Sequence, residues 1–174
     1  MATPLPDGIG REALALDPGR SRLLSLLPLI VLGAVLALAL AGLFGGKTTD
    51  WRRIRNEAVQ LEASVPQVMR SGVLFELRFR ITPRRHFEDL RLAISPELLR
   101  DFTINTTIPA PAEEKSKNGL FHLSYGPAEA GETVEIKIDG QINPALVWGT
   151  EGRIAVFDGE RELASMPLEI RVLP

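Results

Sequence analysis

The chain has 174 residues, 45% of them hydrophobic, with 20 Lys and Arg against 22 Asp and Glu and a formal net charge of −2. That length suits one domain plus a tail, and the near balance of charge offers no basic face of the kind nucleic acid requires. There is no cysteine, which excludes disulfides, thiolate metal sites and thiol nucleophiles together and leaves either side of a membrane open as a location.

In chain order, residues 1–22 read as a polar tail carrying Arg11, Arg20 and Arg22 among Asp7, Glu12 and Asp17. Residues 23–44, "LLSLLPLIVLGAVLALALAGLF", hold no charge. At about 1.5 Å per residue they would span roughly 33 Å as a helix, enough for the roughly 30 Å hydrocarbon core of a bilayer. A core helix of a small domain would keep a polar face, and this run has none. The sequence therefore predicts one N-terminal transmembrane α-helix. Ala39-Leu40-Ala41 before Gly42 also offers a small-x-small cleavage site. Against cleavage, the apolar run exceeds the about 7 to 15 residues of a signal's hydrophobic region, and a polar leader precedes it.

Orientation rests on flanking charge. Arg20 and Arg22 abut the run, whereas Lys47, Arg52, Arg53 and Arg55 lie on its far side, so the count of basic residues alone leans against export. Long C-terminal domains cross largely regardless of charge, and the expectation is a cytoplasmic tail with an exported domain, in a bacterial inner membrane with the domain in the periplasm. Residues 45–57 read as a juxtamembrane linker. Within it Trp51, Arg52, Arg53 and Arg55 form a candidate membrane-surface collar, an indole at headgroup depth with arginines on lipid phosphate; a solvated linker is the plain alternative.

Residues 58–174 change period. Val73, Phe75, Leu77, Phe79 and Ile81 alternate with largely charged neighbours, the mark of a half-buried strand. Shorter alternations recur at Val59–Val65, Leu90–Ile94, Phe102–Ile108, Phe121–Tyr125, Val134–Ile138, Ile154–Val156 and Leu168–Val172, with turn-forming stretches between them. Asp158-Gly159 suits a two-residue hairpin turn, and "PAPAEEKSKNG" reads as a solvated loop. About eight short strands without a helical spacer predict an all-β domain, an immunoglobulin-like antiparallel β-sandwich, with a closed barrel as the other closure.

The residues offer little for catalysis. His86 stands beside two arginines, which oppose a bound cation, and His122 alternates with Phe121 and Leu123, so it is expected on the wet face of its strand. No Gly-x-Ser-x-Gly or glycine-rich phosphate loop occurs, and the pairs Glu113-Glu114 and Glu88-Asp89 sit beside basic residues. No catalytic, cofactor-binding or metal-binding residue is assigned. Candidate interaction residues are Leu146, Val147 and Trp148, apolar between a proline and a glycine where a loop is normally polar, with a core cap as the plain reading of Trp148. Arg84 and Arg85 form a second candidate, a basic loop for an acidic partner or an anion.

From "LRLAISPELL" through "HLSYGPAEAGETVEIKIDGQINP" to "GRIAVFDGERELASMPLEIRVLP", the strand and turn spacing resembles small bacterial proteins with one N-terminal span and an exported immunoglobulin-like domain. That resemblance implies an architecture and a partner class, a polytopic membrane protein, and transfers no site residue. The architecture is also similar to the copper-delivery assembly factors of cytochrome oxidase, whose copper-binding cysteines are missing here, so copper delivery is not implied. The expected function is a membrane-anchored extracytoplasmic interaction module, an accessory partner of another membrane or envelope protein; the alternative is an exported domain that binds or senses a small ligand.

Overall fold

The computed structural model describes residues 18–43, 50–143 and 148–173, and the chain divides after Phe44 into two compact units. The first holds helix α1 (Pro18–Leu40). It starts five residues before the uncharged run, at a proline, whose missing N–H is one that the first turn of a helix leaves idle in any case. It ends short of residue 44 because Gly42 turns to a φ of 76°. The Gly42 N–H donates to the Ala39 carbonyl at 2.9 Å and the Leu43 N–H to the Leu38 carbonyl at 3.1 Å, a Schellman cap that satisfies two otherwise idle carbonyls. The side chains of α1 are described from Leu26 onward, and among the described residues no helix is long and apolar enough to cross a membrane.

The second unit is the expected sandwich, with two sheets rather than a closed barrel. One sheet runs β1 (Trp51–Arg55), β2 (Val59–Ser64), β4 (Leu74–Pro83), β9 (Val134–Ile142), β6 (Phe102–Ile108). The other runs β3 (Val68–Arg70), β11 (Arg161–Leu173), β10 (Thr150–Asp158), β5 (Leu90–Ile94), β8 (Leu120–Ser124), β7 (Glu113–Lys117). Phe79, Ile81, Leu92, Ile136, Ile154 and Ile170 are fully buried between the sheets, each contributing about 1.5 to 3 kcal/mol through removal from water. A single turn of helix, α2 (Pro96–Leu99), tucks Leu98 under β10. It fits because Gly152 has no Cβ, which would collide with Ser95 Oγ and the Leu98 side chain.

The structure departs from the sequence expectations at several points. Eleven strands are described rather than about eight, and one of the expected linker's stretches, Trp51–Arg55, is strand β1, paired antiparallel with β2 from Trp51 opposite Ser64 to Arg55 opposite Gln60. The solvated loop contains β7, joined to β8 by Asn118 and Gly119 at φ 52° and 72°, an Asn-Gly hairpin turn whose signal lies in the sequence. The additional strands β1, β3 and β7 are all sheet edges; an edge is wet on most sides, so the alternation that betrays a half-buried strand is weak there. One pairing, β3 with β11, is parallel. The Asp158-Gly159 turn is displaced by one residue: Asp158 pairs with Arg161, leaving Gly159 and Glu160 as the loop, with a bulge after Val156. In β6 a bulge at Asn105 breaks the register between Ile104 and Thr106, which reverses the facing of every later residue and turns Ile108 outward, half exposed.

His122 is the plainest correction. It lies on the face of β8 opposite Leu123, as alternation requires, but that face is not wet: Ala93, Leu120, Ala155 and Phe157 form a second buried cluster there. The imidazole is buried against Phe157 with ring centroids 4.9 Å apart. The outer face of the sheet is covered because Lys117, beside Leu120, reaches Glu160 at 2.6 Å, and Arg91, beside Phe157, reaches the same carboxylate at 3.1 Å.

Candidate interaction surfaces

The Arg84-Arg85 loop follows β4. Arg85 donates to Asp158 Oδ2 at 3.1 Å and lies over the Phe87 ring at 5.7 Å. Asp158 Oδ1 also accepts the Glu88 backbone N–H at 2.9 Å, so this carboxylate ties the loop after β4 to the hairpin after β10. Arg85 therefore spends its charge inside the domain, while the Arg84 side chain is exposed and the Arg84 backbone N–H donates to the Ala58 carbonyl at 2.9 Å. His86 meets Glu129 at 3.1 Å in the open. Nearby, Asp89 accepts from Arg91 at 2.5 Å and from Ser124 Oγ at 2.5 Å. The Asp89 bond is the main cause holding the Arg91 guanidinium above its ordinary range, and the bonds from Lys117 and then Arg91 hold the Glu160 carboxyl below its own.

The collar residues are partly absorbed by the sandwich. Arg80 lies over the Trp51 ring at 4.3 Å, and Arg53 bridges Glu62 at 2.5 Å; register places Trp51, Arg53, Glu62 and Arg80 on one sheet face. Arg52 and Arg55 are exposed, and Arg52 enters a shallow groove of about 710 Å³ whose walls include Arg153, Glu97, Glu151 and Glu169. Charges of both signs line it, so it converges on neither an anion nor a cation, and among the described residues no histidine, cysteine and carboxylate group is gathered to hold a metal.

Trp148 stands apart from the core. The residue is 89% exposed and its φ is 77°, a left-handed conformation that is uncommon for a non-glycine residue. What holds it there is visible: the Trp148 N–H donates to the Val172 carbonyl at 3.2 Å, and Gly149 follows at φ 124°, pressed so close to Ile170 that a Cβ would strike its carbonyl. The chain is thus pinned to β11 by its backbone while the indole points to solvent, which removes the core-cap reading. Leu146 and Val147 lie outside the described residues.

No family model matches the chain, and no curated protein matches it. Solved structures similar to it include cohesins. A non-cellulosomal cohesin from the hyperthermophilic archaeon Archaeoglobus fulgidus aligns over 62% of this chain and 86% of its own at 9% identity and a TM-score of 0.39. CaCohA2 from Clostridium acetobutylicum aligns over 68% and 92% at 15% identity and 0.43, and a chain of the CaDoc0917–CaCohA2 complex over 61% and 94% at 13% and 0.41. At these identities and scores no residue here inherits a role.

A surface missed by the sequence reading lies between the sheets. Leu99, Ile104 and Phe121 are common to two adjoining hollows of about 520 and 400 Å³ that open beside β6. Its signal was the uncharged strand "FTINTTI", legible as an unprotected edge only once the strand order is known.

Proposed function

We propose that this chain is a membrane-anchored interaction module: the uncharged run 23–44 lies in a bilayer, and the sandwich docks on another membrane or envelope protein. The observation that carries the reading is the helix surface. Leu29, Ile30, Val31 and Leu32 are 64%, 65%, 53% and 56% exposed, and four consecutive residues at 3.6 per turn point in every direction around the axis. An apolar surface without a polar side costs about 25 cal/mol per Å² in water and nothing in hydrocarbon, and the sequence keeps residues 23–44 free of charge. The anchor is a single pass in a bacterial inner membrane, with the sandwich in the periplasm. Confined to that plane, a weak docking surface is occupied because the partner's effective concentration is high. Trp148, exposed and held by its backbone, is the docking anchor, tryptophan being the side chain that most often dominates interface energy.

The test is two-armed. In intact spheroplasts a C-terminal tag should be cut by external protease while the chain resists alkaline extraction from the membrane. In mild detergent a specific polytopic protein should co-purify at native expression, with its affinity lowered about thirtyfold by W148A. A protected C-terminus refutes the orientation, and recovery of the chain alone refutes the docking role.

A further inference from the structure

The sandwich has two open sides, each flanked by one edge strand of each sheet. On one side lie β1 and β3; on the other, β6 and β7 border a common groove. The two sides differ in how a second copy would meet them.

On the first side β1 reads WRRIR. Antiparallel self-apposition puts Arg53 opposite Arg53, and like charges directly opposite across strands are destabilising. On the second side β7 reads EEKSK, acidic at its start and basic at its end; the same operation puts Lys115 opposite Lys115 but flanks that like pair with two Glu113–Lys117 pairs, so attraction outnumbers repulsion, whereas β1 holds no acid to offset its Arg53 pair. β6 reads FTINTTI and carries no charge. Its bulge turns Phe102, Ile104 and Thr107 inward with Gly140 and Ile138, and Thr103 and Thr106 outward with Gln141 and Asp139. A register pairing Phe102 with Thr107 and Thr103 with Thr106 matches the facing at those positions and sets the two bulges, Ile104 with Asn105, against each other at the centre; threonine pairs across strands are favourable. Natural sheets blunt exposed edges with charge, brevity or a bulge; β1, β3 and β7 are charged or short, whereas β6, uncharged and seven residues long, has only its bulge at Asn105.

We infer that the chain forms a symmetric dimer through this side, β6 of each copy extending the other's sheet and β7 of each facing the other with acid against base. The groove supports the choice of a second copy. Ile104 is 39% exposed at its mouth beside Leu99 and Phe121, and a sheet continued past β6 covers it in both copies at once, as a two-fold interface requires. The pairing does not depend on the anchor or on Trp148.

The experiment uses the full chain purified in mild detergent. The protein has no cysteine, so single cysteines report proximity without background. Position 115 falls on the two-fold axis, where directly opposed strand residues come within disulfide reach; position 55 lies on the charged side. Under mild oxidation K115C should give a covalent dimer at least about tenfold faster than R55C, and sedimentation should show a concentration-dependent dimer. E113K, which sets lysine against Lys117 twice per dimer, should raise the dissociation constant about tenfold, and K115Q, which removes the like-charge pair on the axis, should lower it. Positions 55, 113 and 115 are exposed edge sites, and an unchanged circular dichroism spectrum shows that the fold is kept. Equal cross-linking at 115 and 55, a monomer at every concentration, or cross-linking of K115C to a different protein would each overturn the dimer.

Discussion

His122 shows what alternation tells and what it leaves out. Its position between Phe121 and Leu123 assigns it to the outer face of β8, and that assignment holds; whether the face is wet depends on Phe157, Arg91, Lys117 and Glu160, which come from three other segments of the chain. Among the described residues neither ring nitrogen has a hydrogen-bond partner, and both are buried, a desolvation cost of about 1 to 3 kcal/mol. Replacing the ring by a carbon side chain of similar size removes that cost, so H122L should be more stable than the wild type by about 1 kcal/mol in urea unfolding. Glu160 gives a prediction in pH. Its carboxyl is held below the ordinary range first by Lys117 and then by Arg91. A depressed acid contributes stability above its unfolded value of about 4.3, and that stability is lost as pH falls through the lower folded value. Between about pH 5 and pH 3 the wild type should therefore lose more stability than E160Q, measured as the difference in denaturation midpoints.

Strand β6 depends on a glycine in its neighbour. Gly140 of β9 sits opposite Ile104 at the bulge, and a Cβ there would lie 2.8 Å from the Thr103 carbonyl and 2.7 Å from the Phe75 ring. Phe75 is itself packed against Phe102, centroids 4.7 Å apart with the rings tilted by 53°, so neither neighbour can withdraw freely. G140A should cost about 1 to 3 kcal/mol, the usual range for overpacking, and should loosen β6 specifically, seen as faster amide exchange at residues 102–108 than in the other strands of that sheet. The same strand explains why interior elements were legible and this one was misread in detail. In β4, flanked on both sides, Phe75 to Ile81 alternate cleanly and all four inward residues are buried. In β6 the bulge inverts the period after Ile104, and no local signal in "FTINTTI" announces it, because the residue that makes room for it lies 35 positions away in β9.

The division after Phe44 carries its own expectation. Among the described residues the buried core of the sandwich runs from Val59 to Val172, so a fragment of residues 50–174 should unfold in one cooperative urea transition at the midpoint of the full chain's β signal. A midpoint lower by more than about 1 kcal/mol of stability would mean that the helix contributes to the fold. Composition and period were enough to read the all-β class, the uncharged N-terminal run and the inward faces of β2, β4, β5, β9, β10 and β11, because removal of apolar groups from water imposes a period on each strand separately. Strand order, the bulge in β6, the covered face around His122, the absorption of Trp51 and Arg53 into β1 and the outward stance of Trp148 depended on the tertiary structure. Each rests on backbone or side-chain partners distant in sequence, and a partner that arrives only on folding leaves no local pattern to read.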